Sequence, residues 1–391
     1  MKRFSAQFVF TNAAPPMKRA IITAEDDGTI VKVEESKKEL KETQSVEFYN
    51  GIIVPGFVNC HCHLELSHLK GAIAEEHGLP DFLINVRTLR NYDQEEIISA
   101  AEKEDKNLFR EGVSLCADIC NTSVTFGIKN RSRIRYISLG EVFGIDPEKD
   151  GKRMDELMHL IKEAEEAGVT IYPVPHSAYA VPLPLFRMLR EESTDNRVTS
   201  IHFMESESEV AFLKDHSGPM RKAYADTGLL PATLRTPKDN ITAILDEVTP
   251  SGNLILVHNT YADKETVAAV NKRGNTYWCL CPGSNLYIEK KLPPVAMLLK
   301  EGCRIVIGTD SLSSNKKLSI LSEMKIIQEH FPTVKLEELI RWATINGAEA
   351  LGEGNAFGTI EPGKKPGLVV MQDLDLENLK ILPETSAKRL I

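Results

Sequence analysis

The chain of 391 residues is 42% hydrophobic and carries a formal net charge of -9, which is apolar material enough for a large core and more than one simple domain requires. Acidic and basic residues are mixed along it, without the basic stripe that a nucleic-acid backbone demands, so a small molecule is the expected partner. Seven cysteines, an odd number scattered over a long chain, fit reduced thiols in a cytoplasmic protein and not a secreted disulfide scaffold.

At the start, "MKRFSAQFVF" is interrupted by Ser5 and Gln7, too short and too polar for a secretory signal core. No apolar run approaches the roughly 20 residues that cross a bilayer, so no membrane partner is expected. The segments "QFVFTNAAPP", "RAIITAEDDGTIVKVEES" and "SVEFYNGIIVPG" read as short strands and hairpins, with Asp27-Gly28 as a turn. From Phe57 the texture changes. Eight apolar runs follow in order: "GIIVPGFVNCH", "VSLCAD", "RYISLGE", "VTIYPVPH", "TSIHFME", "NLILVHN", "NTYWCLCP" and "CRIVIGTD". Helix-period segments such as 153–167 and 264–273 lie between them. Continuous apolar runs are strands covered on both faces, and their alternation with helices implies a parallel α/β architecture. Eight units predict a (β/α)8 TIM barrel over residues 56–355, with its active site at the C-terminal ends of the strands. The tail "FGTIEPGKKPGLVVM" returns to the β texture of the start. Residues 1–55 and 356–391 are therefore expected to combine into one small β-sandwich domain beside the barrel.

Several runs end in residues that carry chemistry. His61 and His63 close the first. At positions i and i+2 of a strand, two imidazoles point to one face and can share one ion. A regular strand turns Cys60 and Cys62 to the opposite face. Alone, this pair leaves a metal site and plain core filling both open. Partners stand at other strand ends: His202 closes "VTSIH", His258 closes "NLILVH" and Asp310 closes "RIVIGTD". Histidines with a carboxylate make the mixed nitrogen and oxygen set that suits zinc or iron(II), with one position open for water.

These residues also carry a resemblance. The stretches "PGFVNCHCHLE", "PHSAYAVP", "HFMESESE", "LVHNTY", "CPGSNLYI", "GTDSLSSN" and "ATINGAEALG…FGTIEPGKKPGLVV" run in order over nearly the whole chain. In this the sequence resembles the amidohydrolase superfamily, in its branch of cytosine and guanine deaminases, S-adenosylhomocysteine deaminases and triazine hydrolases. The resemblance implies the same barrel with a composite β-domain. It implies His61, His63, His202 and Asp310 as ligands of one divalent metal, zinc first and iron or manganese otherwise. It implies Glu205 as the proton shuttle, and His258, with Asp310, as the group that orients the attacking water. The fourth run offers His176 and no lysine, where binuclear relatives place a carboxylated lysine, so one metal is expected. The implied activity is a deamination: water attacks the amine-bearing carbon of an aminated heterocycle or nucleoside-like substrate, Glu205 moves the proton to a ring nitrogen and the leaving amine, and ammonia departs. Hydrolysis of an amide, a cyclic amidine or a carbon-halogen bond on the same scaffold is the alternative. A metal-binding scaffold without turnover is the third reading, and neither a ligand nor Glu205 is missing to support it. Family members are often homo-oligomers, so a second copy of the chain is another expected partner.

Other positions are less defined. Glu65, two residues after His63, either accepts from a substrate ring N–H or orients a ligand histidine. His176 resembles a substrate-contacting position. Arg87 and Arg90, three apart on a helix above the barrel, face an anionic or ribosyl group or simply solvent. Asn285 is expected to pin a loop near the seventh strand, and Cys279 and Cys281 to be buried thiols. Glu207 and Glu209, in "ESESE", are expected to face solvent, and His68 belongs to the loop after the first strand. The sequence departs from the family at Pro366-Gly367, within the β-domain, and lacks the glutamine or arginine patterns that mark guanine or triazine substrates.

Overall fold

A computed structural model describes residues 1–35, 45–236, 244–248 and 252–391. Eight parallel strands form its centre: β1 (Phe57–Cys62), β2 (Val113–Cys120), β3 (Arg135–Val142), β4 (Ile171–Pro175), β5 (Val198–Phe203), β6 (Asn253–His258), β7 (Thr276–Leu280) and β8 (Ile305–Ile307). They lie in two four-stranded sheets, β1 to β4 and β5 to β8, each in chain order. Strands β1, β2, β5, β7 and β8 are buried at every position, as uninterrupted apolar runs require. One hydrophobic cluster takes a residue from all eight: Val58, Leu115, Leu139, Val174, Val198, Ile255, Cys279 and Val306. Some of the intervening helices begin at side-chain caps, such as Asp93 accepting from Glu95 N and Glu96 N, and Asp263 accepting from Thr266 N, each satisfying backbone donors that the first turn leaves unpaired.

The two sheets meet at two single parallel bridges, Ser177 with His202 and Cys62 with Asp310. At the first, His202 N donates to His176 O at 2.9 Å; at the second, Thr309 N and Asp310 N both donate to His61 O at 3.0 Å. The main chain of the candidate site residues therefore joins the sheets.

Both termini enter one seven-stranded sheet, in the order Ser386–Arg389, Leu368–Gln372, Glu47–Pro55, Lys2–Val9, Ile21–Ala24 and Ile30–Glu34, with Met17–Lys18 paired to Lys2–Val9. Alternate residues separate cleanly. Phe4, Ala6, Ile22, Ile53 and Val370 share a cluster of their own, whereas Ile52, Val54, Val369 and Met371 join the large cluster outside the eight strands, as the two-residue period of a strand dictates. Among the described residues this is one sheet, not the two packed sheets of a sandwich. Asp27-Gly28 does form the turn between Ile21–Ala24 and Ile30–Glu34, with Thr29 N donating to Asp27 Oδ1 at 2.9 Å and Gly28 at φ +89°.

Two expectations about "GIIVPGFVNCH" are corrected. It is not one strand: Glu47–Pro55 belongs to the terminal sheet and β1 starts at Phe57. Gly56 makes the break, where any Cβ would collide with Ser114 Oγ and the Pro366 carbonyl. Nor is β1 regular. Asn59 pairs with Cys116 and Cys62 with Asp118, so β1 carries an extra residue against β2, a bulge that breaks strict alternation. Cys60 consequently joins the cluster with Cys279, while Cys62 lies in the outer cluster with Cys116; they do not share one face.

Candidate active site

The strand ends bring His61, His63, His202 and Asp310 to one point. The ligand atoms of the three histidines lie within 4.8 Å of one another, with His61 Nε2 and His63 Nε2 3.1 Å apart. Asp310 Oδ1 faces both, at 3.6 and 3.4 Å, while its Oδ2 accepts from Ser284 Oγ and Ser314 Oγ, each at 2.6 Å. His202 Nδ1 donates to the His176 carbonyl at 2.8 Å, which leaves its Nε2 as the lone-pair nitrogen. Burial, reinforced by His61, holds His63 well below the ordinary imidazole range and brings His202 down to about 4. Burial works to raise Asp310, but its bond to His61 and the nearby His63 and His258 hold it well below the carboxylate range. Three imidazoles, with His63 and His202 disfavoured from taking a proton, converge on a carboxylate, a donor set that fits a divalent cation. Asp310 (φ +56°) and His258 (φ +77°) hold left-handed backbone, which non-glycine residues adopt rarely and often at functional sites.

Glu205 and His258 stand beside this cage. Both are buried, with His258 Nε2 3.5 Å from Glu205 Oε1. Asn285 Nδ2 lies 3.1 Å from His258 Nδ1 and 2.8 Å from Thr260 Oγ1, so Asn285 pins the histidine ring from the helix Pro282–Glu289. Burial, then the charges of Asp310 and Glu209, raise the Glu205 carboxyl well above its ordinary value, the direction that suits a group exchanging protons with a substrate. Glu209 is not solvated, contrary to expectation. It is fully buried, and its two oxygens accept from Met204 N at 3.1 Å and Glu205 N at 2.7 Å. A helix starting at Glu207, capped by Ser206 accepting from Glu209 N, turns that side chain inward.

A cavity of about 510 Å³ opens over these groups. The helices Gly78–Leu89 and Gly218–Asp226 cover it with apolar side chains, among them Leu79, Phe82, Leu83 and Met220. His176 lines one wall and stacks on His202, ring centroids 4.5 Å apart. Glu65 reaches the same cavity, but its oxygens are occupied: Oε1 pairs with Arg90 at 3.2 Å, and Oε2 accepts from Asn121 N, Thr122 N and Thr122 Oγ1 at 3.1–3.2 Å. Arg87 is exposed at the mouth. His68 donates to Glu65 O at 3.1 Å in the short helix after β1. All seven cysteines are free, Cys279 and Cys281 fully buried.

Sequence reasoning missed Glu141, buried at the end of β3. Its Oε1 lies 3.5 Å from His202 Nδ1, its Oε2 accepts from Asn121 Nδ2 at 3.3 Å, and burial pushes its carboxyl up to about 8. The acid that ends "RYISLGE" was the available signal. Ser284 and Ser314 gave none, since small hydroxyls in loops are common.

Among known proteins, the model of the amidohydrolase family matches residues 52–387. The chain belongs to the amidohydrolase family. It is 25% identical over 396 residues to the 5-methylthioadenosine/S-adenosylhomocysteine deaminase of Pyrococcus abyssi, a match covering 95% of this chain and 84% of that one. The Helicobacter pylori aminofutalosine deaminase in complex with methylthio-coformycin superposes with a TM-score of 0.81, at 20% identity and over 100% of both chains. The atrazine chlorohydrolase of Arthrobacter aurescens TC1, complexed with zinc, gives 0.74 at 18% identity, over 94% of this chain and 86% of that one. At these identities the structural likenesses establish the amidohydrolase fold. Among the described residues, no helix is long and apolar enough to cross a membrane.

Proposed function

We propose that this amidohydrolase is a metal-dependent deaminase that converts an aminated, nucleoside-like heterocycle and water to the corresponding carbonyl and ammonia. One observation carries the reading: His61, His63, His202 and Asp310 meet at one point, with Glu205 and His258 beside them, under one cavity roofed by apolar helices. The deaminase names of relatives spanning nearly the whole chain support it.

The four converging side chains would hold one divalent ion, zinc in our reading. Its charge would acidify a water from a pKa of about 15.7 toward neutrality. Asp310 and His258 orient the attacking water. Glu205 takes one proton from that water and gives it to the ring nitrogen beside the reacting carbon, then carries the second from the resulting hydroxyl to the amine; the hydroxyl becomes the carbonyl as the carbon–nitrogen bond breaks and ammonia leaves. Glu209 fixes the Glu205 main chain. The apolar helices exclude bulk water, which strengthens each of these interactions. His176 contacts substrate from the wall, Arg87 meets a ribosyl or anionic group at the mouth, and Glu65, with both oxygens engaged, braces the loops after β1 and β2. We read the eight strands as one (β/α)8 barrel over 56–355, residues 1–55 with 356–391 as the composite β-domain, and the free thiols as those of a cytoplasmic enzyme.

A panel of aminated nucleosides and bases, assayed for ammonia release by zinc-loaded protein, tests the reading. Turnover of an amide or haloaromatic with no ammonia from any member of the panel would overturn it. Glu205→Gln should retain metal and lose about 10²- to 10⁴-fold in kcat; full turnover in that variant removes Glu205 from the proton path.

A further inference from the structure

Tyr179 follows His176 by three residues in the loop after β4, and nothing above uses it. Its side chain lines the cavity shared by Glu205, His202 and Asp310, and the residue is 1% exposed. The ring packs edge-on to His176, centroids 5.9 Å apart. A phenylalanine would supply all of that contact. The oxygen is what packing does not explain: Tyr179 OH is buried and has no hydrogen-bond partner in the protein. His176 Nδ1 and Ser177 Oγ, in the same loop, are also buried without partners. Native proteins leave few such groups unpaired, because each forfeits its bonds to water for nothing in return.

Burial first, then Glu205, Glu209 and Tyr224, hold the phenol well above its ordinary pKa. At neutral pH it is an O–H donor. Ser177 Oγ approaches and opposes that rise, yet the two hydroxyls do not reach hydrogen-bond geometry.

We infer that Tyr179 is a substrate-reading residue whose O–H donates to a neutral acceptor on the nucleoside, a ring-nitrogen lone pair or a sugar oxygen. The inference rests on the deaminase reading. A site built to bond one polar atom rejects analogues that lack it, since the protein group is then left unpaired.

The test uses full-length, zinc-loaded protein carrying Tyr179→Phe, with adenosine as the probe. The expected result is a fall in kcat/KM of about 10- to 100-fold, with unchanged metal content. The melting temperature of the ligand-free variant should stay level or rise, because the substitution removes an oxygen that bonds no protein group. Two series of analogues locate the acceptor, one with single ring nitrogens replaced by carbon and one with the 2′- or 3′-hydroxyl removed. Wild type and variant should converge on the analogue that lacks the atom Tyr179 reads. Ser177→Ala should not reproduce the loss. An unchanged kcat/KM overturns the inference, as does an equal loss on every analogue. A lowered melting temperature shared by Tyr179→Phe and Ser177→Ala also overturns it, by assigning the two hydroxyls to each other. Wild-type protein that releases no ammonia from any nucleoside defeats the deaminase reading and this inference together. An active wild type with an indifferent phenylalanine variant defeats this inference alone.

Discussion

Replacing Ser314 with alanine deletes one of the two hydroxyls that hold Asp310 Oδ2, each at 2.6 Å. The other carboxylate oxygen faces His61 and His63, so the serines decide which oxygen points at the ion and at what angle. A hydrogen bond to a charged group is worth about 1.5–3 kcal/mol, and each 1.36 kcal/mol is a factor of ten. Zinc should therefore bind about 10- to 100-fold more weakly, the range found when partners of metal ligands are removed. Ser284→Ala should do the same. The double variant should lose more than either, because Oδ2 is then buried with no donor. The assay is zinc competition against a chromophoric chelator at fixed pH, with the unfolding midpoint of metal-free protein measured in parallel to separate ligand geometry from general instability. A double variant that binds zinc as tightly as wild type would refute the claim that these hydroxyls orient Asp310.

Two further outcomes are expected. Burial raises Glu141 from 4.5 to about 8, so the folded chain keeps a proton that the unfolded chain releases. Metal-free protein should lose stability as pH rises through that window, this carboxyl contributing up to about 1.4 kcal/mol per pH unit. Glu141→Gln should flatten the slope in denaturant titrations, and an identical slope would mean that Glu141 is ionised when folded. Gly308→Ala would set a Cβ 2.8 Å from His61 Cβ, 2.9 Å from Cys279 Sγ and 3.0 Å from Cys281 Sγ. Such crowding costs about 1–3 kcal/mol, so the variant should melt earlier and hold zinc less well; wild-type values in both would show that the strand yields freely.

The residues that the resemblance placed at the metal are the ones the structure brings together, and the reason is physical. A strand buried on both faces shows as an unbroken apolar run, and the polar residue that ends it stands out: His202 after "VTSI", His258 after "NLILV" and Asp310 after "RIVIGT". Positions set by geometry finer than that period were not legible. The bulge in β1 leaves no mark in "FVNCHC", yet it decides which way Cys60 points. Glu209 looked solvated because it sits among charges, and only the helix starting at Glu207 shows that it faces inward. Glu141 ends an apolar run as the histidines do, but nothing in sequence says whether an acid ending a strand meets solvent or a histidine. The two-faced terminal sheet was visible as texture, but its strand order depends on pairings between residues more than 300 positions apart.

The bond from Asp310 N to His61 O joins the first and last of the four converging residues, 249 positions apart by number. During synthesis a nascent chain displays His61, His63 and His202 long before the carboxylate that completes the set leaves the ribosome. Until then His61 on β1, His63 just past its end and His202 on β5 lack both the carboxylate and the bridge from Cys62 to Asp310, so the mixed nitrogen and oxygen set is not yet assembled. The complete four-residue set thus belongs to the finished polypeptide alone.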